Sequence, residues 1–272
     1  MRVASMGHGV FALTLLCLGI LGLVHAPFGT FAQPIPKSWP AREALDALCS
    51  VICMAAGLGL LWQRSMARAA RLLLAYFLLC MLLLDMPLIV LHPVVEMVYQ
   101  NWGQAGVMVA AAWVLYVWFA ADWDRRQLGF ATGERGLHIA RLFYGLSLLG
   151  FGFSHFAYLD NTTVLVPAWL QGPVFWACFT GVTYLAAAAA VLAGVWARLA
   201  ASLAALQMGL FLPVVWLPVL MAGNVTALRW REIVGTVALT AGAWVVADSY
   251  RGTPWFGVRI PRLAKAPSRT NT

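Results

Sequence analysis

The chain has 272 residues, 62% hydrophobic and only 10% charged, with a mean hydropathy of +0.81. Soluble domains carry about 25% charged and 45–50% apolar residues, so this composition excludes an ordinary water-soluble fold. The net charge of +8 does not point to nucleic acid, because Lys and Arg fall in short connections between apolar runs and in the tail, where positive charge marks membrane topology.

In chain order, eight apolar segments are predicted, over 8–26, 44–63, 72–92, 104–122, 142–158, 174–195, 199–221 and 233–250. A span needs roughly 20 apolar residues. No run of short alternating segments suggests a barrel. The first segment has signal-peptide traits, with Arg2 before an apolar core and Thr30-Phe31-Ala32 as a small-residue site. Its counterpart is segment five, which lies mid-chain, so it is read as a retained span. Segment three holds Asp85 two residues before Pro87; segment seven holds Pro213 and Pro218 around Trp216. A proline removes a backbone donor and kinks the helix.

The second half echoes the first. LGILGLVH (18–25) answers LLGFGFSH (148–155), so that His25 and His155 each end a span, 130 residues apart. Ala67-Arg68 matches Ala197-Arg198, Trp102 matches Trp230, and Ala121-Asp122 matches Ala247-Asp248. Each half has four spans, an even number, so both insert the same way. The fold class expected is therefore all-α integral membrane, eight transmembrane helices as two parallel four-helix repeats. The repeats would cover 1–125 and 138–250, followed by a basic cytoplasmic tail over 251–272.

Of the 18 Lys and Arg residues, fourteen fall on one side: Arg2, the loops with Arg64 to Arg71, Arg125 to Arg141 and Arg198, and the tail. The other side holds Lys37, Arg42, Arg229 and Arg231. This bias places both termini in the cytoplasm. Trp39, Tyr99, Trp102, Tyr158, Trp169 and Trp230 then sit at the outer interface, with Trp62, Trp123, Trp196 and Tyr250 at the inner one, as an aromatic belt.

Ionisable residues inside spans are costly and point to function. Asp85 is the best placed, with His25, His92 or Arg42 as possible donors. The paired His25 and His155 can switch charge or meet a quinone oxygen; capping the outer loops is their structural alternative. His25, Asp85, His155 and Trp169 form the candidate polar outer-side site. No spacing supplies a metal site. Cys49 and Cys53, at i and i+4, can face one another as a redox pair, or act as small apolar side chains.

Residues 142–198 carry further motifs: His155-Phe156, Val166-Pro167-Ala168-Trp169-Leu170, Trp176, Thr180-Gly181 and the run Ala186 to Ala190. This pattern resembles the DoxX-like bacterial inner-membrane proteins, clearly over 142–250 and weakly over 1–122. It departs from that pattern at Gln171 and Tyr184. The resemblance implies a multi-pass inner-membrane protein with four-helix bundles, and an association of some members with quinone-linked oxidoreductases. It does not establish whether the chain is an enzyme.

The primary expectation is a non-enzymatic membrane subunit or scaffold in the lipid bilayer, with a membrane protein as partner and no nucleic acid. A quinone- or lipid-binding subunit of a membrane oxidoreductase is the alternative. That alternative requires His25, Asp85 and His155 to converge on one pocket with Trp169 at its mouth. A small-solute transporter is a weaker alternative.

Overall fold

Apolar runs of span length have no better option in a bilayer than to close their backbone hydrogen bonds within a helix. The structure, a computed structural model, describes residues 4–24, 35–92, 95–223 and 225–258. Its helices are α1 (Met6–Val24), α2 (Arg42–Leu61), α3 (Met66–Cys80), α4 (Met86–Leu91), α5 (Glu96–Phe119), α6 (Asp122–Gln127), α7 (Gly133–Ala157), α8 (Leu159–Thr163), α9 (Pro173–Ala193), α10 (Ala197–Phe211), α11 (Leu217–Met221) and α12 (Ala227–Asp248). No β-strand occurs among the described residues. Most of the basic tail, residues 259–272, lies outside them.

Seven helices are long and apolar enough to cross a membrane, counting α3–α4 (Met66–Leu91) and α10–α11 (Ala197–Met221) as one each. The eighth predicted segment is also helical, as α12, but it is not among the seven. Its apolar part is short, because Arg231 and Glu232 bound it on one side and Asp248 on the other. Helices α5 and α7 begin eight or nine residues before the predicted segments. Their polar first turns continue the same hydrogen-bonded helix beyond the apolar run.

Two of the long helices change gauge part-way. Met81–Asp85 and Leu212–Trp216 are single π turns, joining α3 to α4 and α10 to α11. In each, the next residue donates its N–H five back, Met86 to Met81 O and Leu217 to Leu212 O. After one intervening residue a proline follows in both, Pro87 and Pro218. Proline has no N–H and its ring crowds the carbonyl one turn earlier, and widening the preceding turn relieves that crowding.

Packing follows one order in each half. In the first, α1 packs on α2, α2 on α3 and α3 on α5. In the second, α7 packs on α9, α9 on α10 and α10 on α12. The halves meet through α5 on α7, α12 on α1, and α5 on α12. Glycines set the closest approaches. A Cβ on Gly19 would lie 2.6 Å from Met54 N and Ser50 O, and one on Gly57 would lie 2.7 Å from Ala12 O. Helices α1 and α2 are thus antiparallel and nearly in backbone contact, the way small residues let membrane helices associate. The core lies along α5, where Val107 to Ala112 are all fully buried.

Candidate functional site

Asp85 closes the first π turn. It is 3% exposed, and its Oδ1 has no hydrogen-bond partner among the described residues. The turn packs on α5. Arg42, one of the donors considered for it, instead lies 3.7 Å from Asp46 one turn along α2. An ionised carboxylate near the bilayer centre costs about 2.5–3.5 kcal/mol on insertion scales. Burying Asp85 Oδ1 with no partner among the described residues is costly wherever along the span it sits.

His155 lies elsewhere, in the seam between α7 and α9. Its Nδ1 is 2.9 Å from the Phe151 carbonyl oxygen, so Nδ1–H donates back to its own helix. Its ring stands 5.6 Å from that of Tyr184 on α9. Trp169 is in the α8–α9 connection, exposed at 67%. His25 lies outside the described residues. Among the described residues no hydrogen bond or ring contact joins Asp85, His155 and Trp169 to one another.

The sequence reading passed over three buried groups. His8 is fully buried at the start of α1. Ala4 N–H donates to its Nδ1 at 3.2 Å, so the ring proton sits on Nε2 and donates to the Leu60 carbonyl at 3.0 Å. The imidazole thus ties the start of α1 to the end of α2. The clue lay in spacing, because His8 and His138 are 130 apart, like His25 and His155. Asp46 is the second group, 3% exposed on α2 with Oδ1 unpartnered among the described residues.

The third is Asp124 of α6, fully buried. Its Oδ2 accepts from Arg71 at 2.7 Å and from Ala121 N–H at 3.0 Å, and its Oδ1 accepts from Tyr116 Oη at 3.0 Å. Burial alone pushes this carboxyl up, but the Arg71 guanidinium, the Ala121 amide and the Tyr116 hydroxyl more than offset it and hold it below the usual range. Three donors on one carboxylate make this a structural clasp between α3, α5 and α6.

Two pockets open at the end opposite Asp85 and His155. The larger, about 700 Å³, lies between the ends of α5 and α12 and the start of α7, with Ser5, Phe119, Arg141, Asp248 and Arg251 in its wall. Arg141 Nε donates to Ser249 Oγ at 3.1 Å and its guanidinium stacks 4.0 Å over Tyr250, so this cation is already engaged. The smaller, about 320 Å³, lies beside Arg125 and Thr132. Among the described residues no three His, Cys, Asp or Glu side chains are placed to hold a metal.

Comparison with known proteins gives no matching family model, no matching curated protein and no matching solved structure. The chain's chemistry therefore rests on its own geometry: a multi-pass helical protein in which Asp85 and His155 occupy separate helix seams.

Proposed function

We propose that the chain is a non-enzymatic, DoxX-like subunit or scaffold of the bacterial inner membrane. In this reading it has eight spans arranged as two parallel four-helix repeats, with both termini in the cytoplasm, and it packs against another membrane protein. The observation that carries the non-enzymatic part is the separation of Asp85 from His155. One sits where the first π turn meets α5, and the other is hydrogen-bonded within α7 and packed on α9. Chemistry on one molecule needs groups that converge on it, and these two serve different seams.

The repeat reading is supported by the shared order of π turn, one residue and proline, and by the matching packing order of the two halves. As the eighth span, α12 sits between α1, α5 and α10, shielded by protein, which relaxes the demand for an apolar surface. The cytoplasmic assignment rests on the cluster of Arg64, Arg68, Arg71, Arg125, Arg126 and Arg198 at one end of the helices.

The test is native mass spectrometry of the protein extracted from its own membranes. A stoichiometric complex with a second membrane protein, free of quinone, is expected. A lone chain carrying one equivalent of quinone overturns the reading. The second reading, a quinone- or lipid-binding subunit, is favoured by one observation, that Asp85 Oδ1 has no hydrogen-bond partner among the described residues. A bound amphiphile lost on Asp85→Asn would replace the first reading with the second.

A further inference from the structure

The halves meet through α1, α5, α7 and α12, and the larger cavity, about 700 Å³, opens between the ends of these four helices. That volume is within the range of small-molecule sites, roughly 300–1,000 Å³. Four charged side chains stand in its wall, Glu134, Arg141, Asp248 and Arg251. Their engagements are unequal. Arg141 donates to Ser249 Oγ at 3.1 Å and stacks over Tyr250, and Arg251 donates to Asp248 Oδ1 at 2.9 Å. Glu134 has no ion pair or hydrogen bond among the described residues. The Asp248 side chain is 9% exposed, and its Oδ2, covered by Gly7 of α1, accepts nothing among the described residues. Both bases are engaged, while both acids keep acceptor capacity. A molecule that completes this wall has to bring donors and positive charge.

The two acids lie at different depths. Glu134 is on the first turn of α7, and Arg141, seven residues on, reaches Ser249, the chain neighbour of Asp248. Seven residues are about 10 Å of helix. Glu134 therefore stands at the mouth of the cavity and Asp248 towards its floor. The wall between them is apolar. Leu137 is one turn from both Glu134 and Arg141 on the same face of α7, and Trp118 and Phe119 close α5 opposite it. The level of α5 is fixed by the neighbouring residue, since a Cβ on Gly136 would lie 2.8 Å from Val117 Cγ2.

We propose that this cavity binds a linear organic diamine, with one ammonium at Asp248, the other at Glu134, and the carbon chain along Leu137, Trp118 and Phe119. The ammonium at Asp248 competes with Arg251, whose side chain is 55% exposed and whose ion pair is correspondingly weak. Two carboxylates at such different depths do not share one metal ion. An anion finds no ready partner, because Arg141 spends its donors on Ser249. The site adds a binding function to the scaffold role and does not depend on it.

The test is calorimetric titration of the full chain in uncharged detergent micelles with spermidine, whose extended chain is of the required length. Saturable one-to-one binding is expected. Surface adsorption is a poor substitute, because Arg64, Arg68, Arg125 and Arg126 make this end of the molecule basic. Glu134→Gln and Asp248→Asn each weaken binding by about tenfold or more, and Arg251→Ala, which removes the competing base, tightens it. Glu134 is exposed and makes no contact that folding requires, so Glu134→Gln is decisive even if Asp248→Asn fails to fold. Pimelate, a dianion of similar length, and aminohexanoate, a zwitterion, bind more weakly than spermidine. Absence of one-to-one binding, binding undiminished in Glu134→Gln, binding that Arg251→Ala fails to tighten, or pimelate or aminohexanoate bound as tightly as spermidine would each overturn the proposal.

Discussion

The two π turns, Met81–Asp85 and Leu212–Trp216, each precede a proline by one residue and end on different side chains. Trp216 closes the second turn, 6% exposed, and its indole N–H donates to Thr236 Oγ1 at 2.8 Å. Thr236 in turn donates to the Glu232 carbonyl at 2.8 Å. Asp85 closes the first turn with Oδ1 unpartnered among the described residues. Proline sets the kink in both, and what fills its inner face is then free to diverge. The largest effect is expected where the filled copy is emptied. Trp216→Ala creates a cavity and strips Thr236 of its donor, at a cost of about 3 kcal/mol. Unfolding in mixed micelles reads this directly, and a loss under about 1 kcal/mol would mean that the turn does not rest on its tryptophan.

The opposite ends of the halves differ as well. Arg71 lies 4.9 Å over Trp123 and binds Asp124; Arg198 lies 4.0 Å over Trp255 and donates to the Thr253 carbonyl at 2.7 Å. Only the first clasp holds a buried anion. Arg71→Ala strands that anion and is expected to cost about 2 kcal/mol, less than a fully buried pair because Arg71 is partly exposed. Arg198→Ala should cost about 0.5 kcal/mol, as befits an exposed contact. Asp124 also has a pH signature. Its folded value lies below the unfolded one, near 3.9, so its contribution is present above that pH and is lost as pH falls through the folded value. The stability difference between the wild type and Asp124→Asn should therefore be full at neutral pH and shrink below about pH 4. A difference that persists unchanged into stronger acid would show that the clasp is packing alone.

Asp85→Leu sharpens the comparison of the turns in the other direction. Removing a buried polar group whose Oδ1 has no partner among the described residues is expected to stabilise the protein by about 1 kcal/mol. Asp85→Asn keeps the polarity and should change stability by less than about 0.5 kcal/mol. Destabilisation by Asp85→Leu would reveal a stabilising partner for the carboxyl and would strengthen the ligand-binding reading.

Helix positions were legible from sequence because hydropathy is a local property that a bilayer reads directly. All eight predicted segments overlap helices, with limits near the apolar runs. Prolines at 87 and 218 announced kinks, though not that the kink is a π turn. Partnerships between helices were less legible, since they depend on which faces meet. Asp85 and His155 both lie in the later part of an apolar segment in sequence but face different neighbours. Asp124 was hidden by its exposed-looking sequence, DWDRRQ, where nothing signals that Arg71 and Tyr116 converge on it.

The smallest expected effect concerns the seams themselves. In the second half, Thr183 Oγ1 donates to Gln207 Oε1 at 2.8 Å, and Gln207 Nε2 donates to the Thr180 carbonyl at 3.2 Å. A hydrogen bond between membrane helices averages about 0.6 kcal/mol, because the separated helices find other partners. Thr183→Val removes one such bond at nearly constant volume and should cost about that much. Gln207→Leu should cost slightly more, since it removes two bonds, and the double variant should cost less than the sum, because the two changes delete a shared bond. Strict additivity would mean that Thr183 and Gln207 act apart, and the second seam would then be held by packing, like an all-apolar one.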